Sequence, residues 1–384
     1  MNEWITKMNK MVSVLALLGL SVLVVGCSHP IKIIGQGNVT SDGNRRCLYD
    51  DSLNGLSNCT VNTVIGAYDV TYYAEPHDGW RFHRWANYCV DATNNECAFH
   101  VPANLVKSYW GKAVPPLVAI YRPEVNTGFK SLFMGHSRFY PVVQGMPFHV
   151  GADGQAGFPD HQQISIEQGG VFGSPLYLWN NEYLRTEIQG ILNTGDIALF
   201  GMTYHYDAPG VEGYRNWVRY ALSKNPDTRF FIGMPQPWYP ENNDSAAYEA
   251  IWESEHVVAH TIIDTLRAEF PHVDFYCVPY GQSAVELHKL YSADELPDVE
   301  SLVKIDPSYV IVPDDTSVFW DNRYAHANQI LTDLSELVWL RAIYGVDLST
   351  YDDGSGYTTD LKAIATDITD SHDPNYNAPY NEPM

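Results

Sequence analysis

The sequence predicts an α/β fold preceded by a small all-β domain, and two observations predict it. After Pro123, five short apolar runs, FKSLFMG, QISIEQ, DIALFG, RFFIGM and DFYCVP, are each followed by a segment of helical spacing such as YRNWVRYALSKN or AIWESEHVVAHTIIDTLRAEF. That alternation argues a parallel sheet covered by helices on both faces. Before Pro123, residues 31–122 hold alternating runs such as TVIGAYDVTYYAEP, WRFHRW and PPLVAIYRP, separated by Gly, Asn and Asp clusters. With little helical periodicity, that is the pattern of a small β module. The expected organisation is residues 1–26 as a leader, 27–123 as the β domain, 124–350 as the α/β domain and 351–384 as an acidic tail.

At the N-terminus, Lys7 and Lys10 precede the apolar run MVSVLALLGLSVLVVGC, which is followed by the polar Ser28-His29-Pro30. A basic start, an apolar middle and small residues before the cut make an export signal rather than a spanning helix. The closing VVGC resembles a bacterial lipobox, whose cysteine, here Cys27, becomes the lipidated first residue of the mature chain. The resemblance implies an exported bacterial lipoprotein, held to a membrane by acyl chains on one residue. By the same resemblance Ser28 favours the outer membrane or cell surface. The 46 acidic against 23 basic side chains give a formal charge of -23, which repels nucleic acid, so no nucleic-acid partner is expected.

Export makes the remaining cysteines disulfide-permissive. Cys47, Cys59, Cys89 and Cys97 form two close pairs in sequence. The pairing Cys47 with Cys59 and Cys89 with Cys97 is expected, although four cysteines permit three pairings and all three stay open here. Cys277, inside FYCVPY, reads as a buried apolar filler. The order GQGNVTS, a cysteine pair, DVTYYAEPHDGWRFHRW, a second pair and LVAIYRP resembles bacterial surface repeats of the InlB B-repeat type. In those repeats a Gly-Trp-x-Phe-x-x-Trp stretch packs the core, here Gly79, Trp80, Phe82 and Trp85. The resemblance implies a spacer or binding module without chemistry.

In open parallel sheets the ligand site lies at the carboxyl ends of the strands. After the first strand comes Gly135-His136-Ser137, where a glycine allows a sharp turn and the serine stands near the next helix start, so its N–H and the helix dipole can support an oxyanion. After the second comes GGVFGSPLYLWNN, with Gly169, Gly170 and Gly173 before a helix starting near Pro175. The third ends in FGMTYHYD, placing Thr203, Tyr204, His205 and Asp207 at the same edge. Far downstream, His326 lies just before a helix with apolar residues at Ile330, Leu331, Leu334, Leu337, Val338 and Leu340, after a strand-like YVIVPDD. There it can reach the first strand's end, and Asp314, Asp315 and Asp321 are available to orient it.

This order of a Gly-x-Ser turn, a second-block glycine, a polar third block and a late Asp-plus-His loop resembles the SGNH (GDSL-type) hydrolases over residues 129–346. The resemblance implies a flavodoxin-like three-layer α/β/α sheet and a serine hydrolase of esters that needs no cofactor. Carried over by position, Ser137 is the nucleophile, His326 the base, and the Ser137 and Gly173 N–H groups the oxyanion hole. Relatives often carry an Asn in the third block, and the matching count from Asp196 lands on His205, which as a neutral imidazole can donate in its place. The family favours an Asp shortly before the His, but Arg323 stands there. Asp321 is therefore taken as the acid, with a Ser-His dyad as the fallback. Export, the aromatic segments YLW and QPWYP and the family's frequent use of carbohydrate esters point to acyl groups on an extracellular glycan. The competing reading is a non-catalytic glycan-binding or adhesion lipoprotein that keeps the fold.

His256 and His260 stand at i and i+4, a zinc-compatible spacing. Val257 occupies the place where the metalloprotease motif needs Glu. A solvated or interface helix face is the expectation, with no metal. The final stretch, DLKAIATDITDSHDPNYNAPYNEPM at residues 360–384, is read as one short helix and then a polar tail that need not be ordered.

Overall fold

The computed structural model describes residues 27–28, 30–43, 45–49, 58–59, 63–64, 67–101, 115–151, 154–238, 244–304, 316–320 and 324–379. The expected leader, residues 1–26, lies outside these, as do Asp314, Asp315 and Asp321. Among the described residues no helix is long and apolar enough to cross a membrane. The chain divides into two units, Met1–Glu124 and Val125–Met384.

Among the described residues the first unit holds nine short strands: β1 (Cys27–Ser28), β2 (Ile31–Ile34), β3 (Gly37–Ser41), β4 (Asn58–Cys59), β5 (Thr63–Val64), β6 (Tyr68–Pro76), β7 (Trp80–Ala86), β8 (Glu96–Val101) and β9 (Leu117–Pro123). They form a sheet of order β4-β2-β9-β7, a sheet of order β3-β6-β8 and the pair β1-β5. The period-2 pattern is clearest in β6, where Val70, Tyr72 and Ala74 are buried and their neighbours are not, because alternate side chains leave opposite faces of a strand. Trp85 is fully buried, with Phe82 against it at 5.2 Å and against Tyr121 at 5.9 Å between ring centres. Trp80 is only partly buried. Of the three open pairings, the disulfides are Cys47–Cys59 and Cys89–Cys97, with Cα separations of 5.4 and 5.5 Å. A core this small gains from such staples, which limit the freedom of the unfolded chain.

The second unit holds a five-stranded parallel sheet of order β11-β10-β12-β13-β14. Its strands are β10 (Lys130–Gly135), β11 (Gln162–Glu167), β12 (Leu199–Thr203), β13 (Arg229–Gly233) and β14 (Phe275–Val278), one from each of the five apolar runs. The helices are α1 (Tyr140–Val150), α2 (Pro175–Asn180), α3 (Glu182–Leu192), α4 (Glu212–Lys224), α5 (Ser245–Glu269), α6 (Gln282–Ser292), α7 (Gln329–Tyr344) and α8 (Leu361–Ser371). Every residue of β12 and β13 is buried, as a strand covered on both faces requires. On one face Trp339 of α7 meets Phe133 at 5.4 Å and Phe231 at 5.2 Å. Phe133 pairs with Gly201, so Phe200 points to the opposite face, where it meets Trp217 of α4 at 6.5 Å. The fold is therefore the expected α/β class, a parallel sheet between helical layers.

One feature departs from the sequence reading. A separate parallel pair, β15 (Ser301–Val303) and β16 (Ser317–Phe319), leads into α7, whereas YVIVPDD, read as strand-like, lies outside the described residues. The short helix expected in the C-terminal stretch is α8, whose Leu361, Ala365 and Ile368 are buried. Their i, i+4, i+7 spacing gives one apolar stripe to dock. A 3-10 turn, Pro374–Tyr376, follows it. Of the solvated or interface helix face expected for His256 and His260, the structure shows the interface: they meet His372 and, through His256, Cys277.

Candidate active site

The end of β10 shows why the chain turns where it does. A Cβ on Gly135 would sit 2.5 Å from the Phe139 ring, so only glycine lets that buried ring fold back under the turn. The His136 carbonyl accepts the N–H groups of Phe139 at 2.8 Å and Tyr140 at 3.0 Å. The His136 ring accepts the Arg138 N–H at Nδ1, 3.3 Å away. His136 thus holds the turn from inside and leaves Ser137 partly exposed at its apex. Among the described residues no group accepts the Ser137 N–H.

With Nδ1 accepting, the His136 proton sits on Nε2, which donates to the Tyr204 carbonyl at 3.0 Å. This bond ties the serine turn to the end of β12. His136 is 1% exposed, and burial, reinforced by the Arg138 charge, holds its pKa well below the ordinary histidine value, so the ring is neutral.

Arg138 braces the other side. Its buried guanidinium donates to the Gln236 carbonyl at 2.6 Å and lies over the Trp238 ring at 5.3 Å. Gln236 Nε2 in turn donates to the Ala325 carbonyl at 2.8 Å. Ala325 adopts a left-handed φ of 52°, a conformation that costs a non-glycine residue energy and persists only where the surroundings impose it. The next residue is His326. Its loop is fixed further by Asn328, whose N–H donates to Val318 O at 2.9 Å and whose Nδ2 donates to Ser317 Oγ at 2.9 Å. Trp320 stacks on the imidazole at 4.7 Å, the planes 4° apart.

These constraints bring His326 Nε2 to 2.8 Å from Ser137 Oγ, across 189 residues of sequence. Gly173 also lies at this edge: a Cβ there would be 2.4 Å from the Gly135 carbonyl oxygen, so its backbone packs directly on the end of β10. His205 is buried and sits edge-to-face on His136 at 5.1 Å. Its Nδ1 accepts the Asp207 N–H at 3.2 Å, which leaves the proton on Nε2. Burial, followed by the Arg138 charge, pushes its pKa down to about 4, so it too is a neutral N–H donor at pH 7.

Asp321 lies outside the described residues. A described carboxylate that the sequence reading missed, Glu167, ends β11 opposite Gly135. Burial raises its pKa and the neighbouring His326 acts the other way. Nothing but its place at a strand end marks it in sequence. The Arg138, Gln236 and Ala325 brace was equally unmarked, since its bonds span 98 and 89 residues. An aromatic group adjoins the pair: Trp238 lies 5.6 Å from Tyr324 and 5.7 Å from Tyr206, with Tyr324 5.7 Å from His326.

Two buried neutral histidines give the unit a pH signature. Both folded pKa values lie below 6.5, so between that value and about 4 the unfolded chain binds protons that the folded one does not. Stability is therefore full above about pH 6.5 and falls as pH drops through this window. In thermal melts at pH 7.5 and 4.5, His205→Asn is expected to reduce the acid loss by on the order of 1–3 kcal/mol. An unchanged loss in that variant would refute the neutral assignment of His205.

No family model matches the chain, and no curated protein matches it in sequence. Among solved structures, the periplasmic domain of a lipopolysaccharide acetyltransferase from Salmonella ser. Paratyphi A is similar over 56% of this chain and 82% of that one, at 10% identity and a TM-score of 0.28. A likeness this distant bears on neither the site nor its chemistry, which rest on the geometry of this chain.

Proposed function

We propose that the chain is an SGNH-like serine ester hydrolase that removes acyl groups, acetyl first among them, from an extracellular carbohydrate. The observation that carries this reading is the 2.8 Å contact between Ser137 Oγ and His326 Nε2 at the carboxyl edge of a parallel sheet, where such sheets hold their ligands.

In this mechanism Ser137 Oγ attacks the ester carbonyl while His326 Nε2 takes its proton. The N–H groups of Ser137 and Gly173, with His205 Nε2–H, receive the charge that develops on the carbonyl oxygen. His326 then returns the proton to the leaving alcohol, and the acyl-serine is opened by water, activated by the same imidazole. Asp321 accepts the Nδ1–H of His326 and stabilises the imidazolium. The two buried neutral histidines suit this role, since an imidazolium beside Ser137 would oppose proton transfer to His326. Tyr206, Trp238, Trp320 and Tyr324, partly or largely open to solvent, offer flat apolar faces of the kind sugar rings stack on. The lipobox resemblance at Cys27 supports a location on a membrane surface, facing outward.

A fluorophosphonate probe and an acetate assay test the reading together. Wild type is expected to label covalently, Ser137→Ala not to label, and acetylated polysaccharide to yield acetate with wild type alone. Folded wild type that does not label would favour a glycan-binding lipoprotein without chemistry. Labelling with hydrolysis of lipid esters and no acetate from polysaccharide would keep the serine hydrolase and overturn the substrate.

A further inference from the structure

Away from Ser137, four side chains from three parts of the second unit converge on one point. His256 and His260 stand one turn apart on α5, Cys277 lies in β14, and His372 follows α8 directly. His372 Nε2 is 3.2 Å from His256 Nε2 and 3.4 Å from His260 Nε2, and Cys277 Sγ is 3.6 Å from His256 Nε2. All four ligand atoms lie within 4.8 Å of one another.

These separations have a definite chemical meaning. A tetrahedral zinc ion holds imidazole nitrogens at about 2.0–2.1 Å and thiolate sulfur at about 2.3 Å, which puts nitrogens roughly 3.3–3.4 Å apart and nitrogen from sulfur roughly 3.5–3.6 Å. The ring contacts beyond the cluster match what ligating histidines need. His372 donates its other nitrogen, Nδ1, to Asn377 Oδ1 at 2.5 Å, which turns the Nε2 lone pair inward. His260 stacks on Tyr376 at 3.5 Å, the planes 7° apart, and Tyr376 is anchored by its hydroxyl to Asp264 at 2.7 Å. Without a metal, one lone pair on His372 would face two imidazole nitrogens, and the Cys277 thiol would meet one of those two, His256 Nε2, already engaged with His372.

We propose that His256, His260, Cys277 and His372 form a tetrahedral zinc site. Binding converts the Cys277 thiol to a thiolate and releases its proton to solvent. Four protein ligands close the coordination sphere and leave no position for water or substrate, so the ion is structural rather than hydrolytic. It clasps the segment after α8 to α5 and the edge strand β14. It also accounts for the cysteine left over once the two disulfides are formed, which an exported chain would otherwise carry as a free thiol.

The test uses the mature chain, purified without chelator and without a histidine tag. Elemental analysis is expected to find about one zinc per chain in wild type and less than about a tenth of that in Cys277→Ser and His372→Ala. Because an unfolded variant would also lose metal, the wild type is also stripped with a chelator and loaded with Co²⁺. A thiolate-to-cobalt charge-transfer band alongside tetrahedral d–d bands is expected, with a thermal midpoint that drops on stripping and recovers with Zn²⁺. Folded wild type that carries no metal and shows no charge-transfer band overturns the proposal. So does metal content that survives in both variants.

Discussion

Replacing Ser137 by alanine is expected to lower kcat on ester substrates by on the order of 10⁴–10⁶-fold, with little change in KM or stability. The serine is partly exposed and its hydroxyl meets only His326 among the described residues, so deleting one oxygen leaves no buried group unsatisfied and is expected to cost less than about 0.5 kcal/mol. His326→Ala should cost nearly as much activity, because an unactivated serine hydroxyl is a weak nucleophile at neutral pH. The two changes act on one proton transfer, so the double variant should be no slower than the worse single one. Steady-state rates for the two single variants and the double variant check this. Additive losses, or a Ser137→Ala enzyme retaining a tenth of wild-type kcat, would mean that the 2.8 Å contact is not the reacting pair.

That pair was legible because its signals are local: an apolar strand, a glycine turn with a serine, and a histidine just before an amphipathic helix. Each can be read within a dozen residues, and the carboxyl-edge rule for parallel sheets supplies the third dimension. The five sheet strands were legible for the same reason. What escaped was whatever depends on distant residues meeting. Arg138, Gln236 and Ala325 hold the serine and histidine loops together through main-chain carbonyls, and a carbonyl acceptor leaves no trace in side-chain identity. β15 and β16 are three residues each, too short for a period-2 pattern. Cys277 is buried in the core, as its place among Phe, Tyr and Val suggests, but its meeting with histidines left no mark in the sequence. Its partners on α5 and after α8 lie 21 and 95 residues away, and only docking of α8 brings His372 to it. The short helix at the C-terminal end was legible, but its docking was not, because its many acidic and small residues hide the stripe of Leu361, Ala365 and Ile368.

Gly173→Ala should injure the enzyme in a different way, by moving the oxyanion site while leaving every reacting group in place. A Cβ at this position would lie 2.4 Å from the Gly135 carbonyl oxygen, 2.7 Å from the Gln168 carbonyl oxygen and 2.7 Å from the Gly135 carbonyl carbon. All three are backbone atoms, so no flexible side chain can swing aside. The Gly135 carbonyl already accepts the Gln168 N–H at 3.0 Å, which pins β10 to the turn after β11. Relief must come from separating Gly173 from the end of β10, two residues before Ser137. An overpacked backbone contact of this kind costs about 1–3 kcal/mol of stability. A donor displaced from the developing oxyanion costs about 10²–10³-fold in kcat. Gly169→Ala is the matched control: the same loop, an extended φ of -68° and open space within 4 Å of the added methyl, so both activity and stability should stay near wild type. Fluorophosphonate labelling separates the causes, since Gly173→Ala keeps the Ser137–His326 pair and should still label, more slowly. Should Gly173→Ala match Gly169→Ala in kcat, Gly173 serves only to let the strand end and the 3-10 turn it closes, Gly170–Gly173, approach, and the oxyanion must be held by the Ser137 N–H with His205.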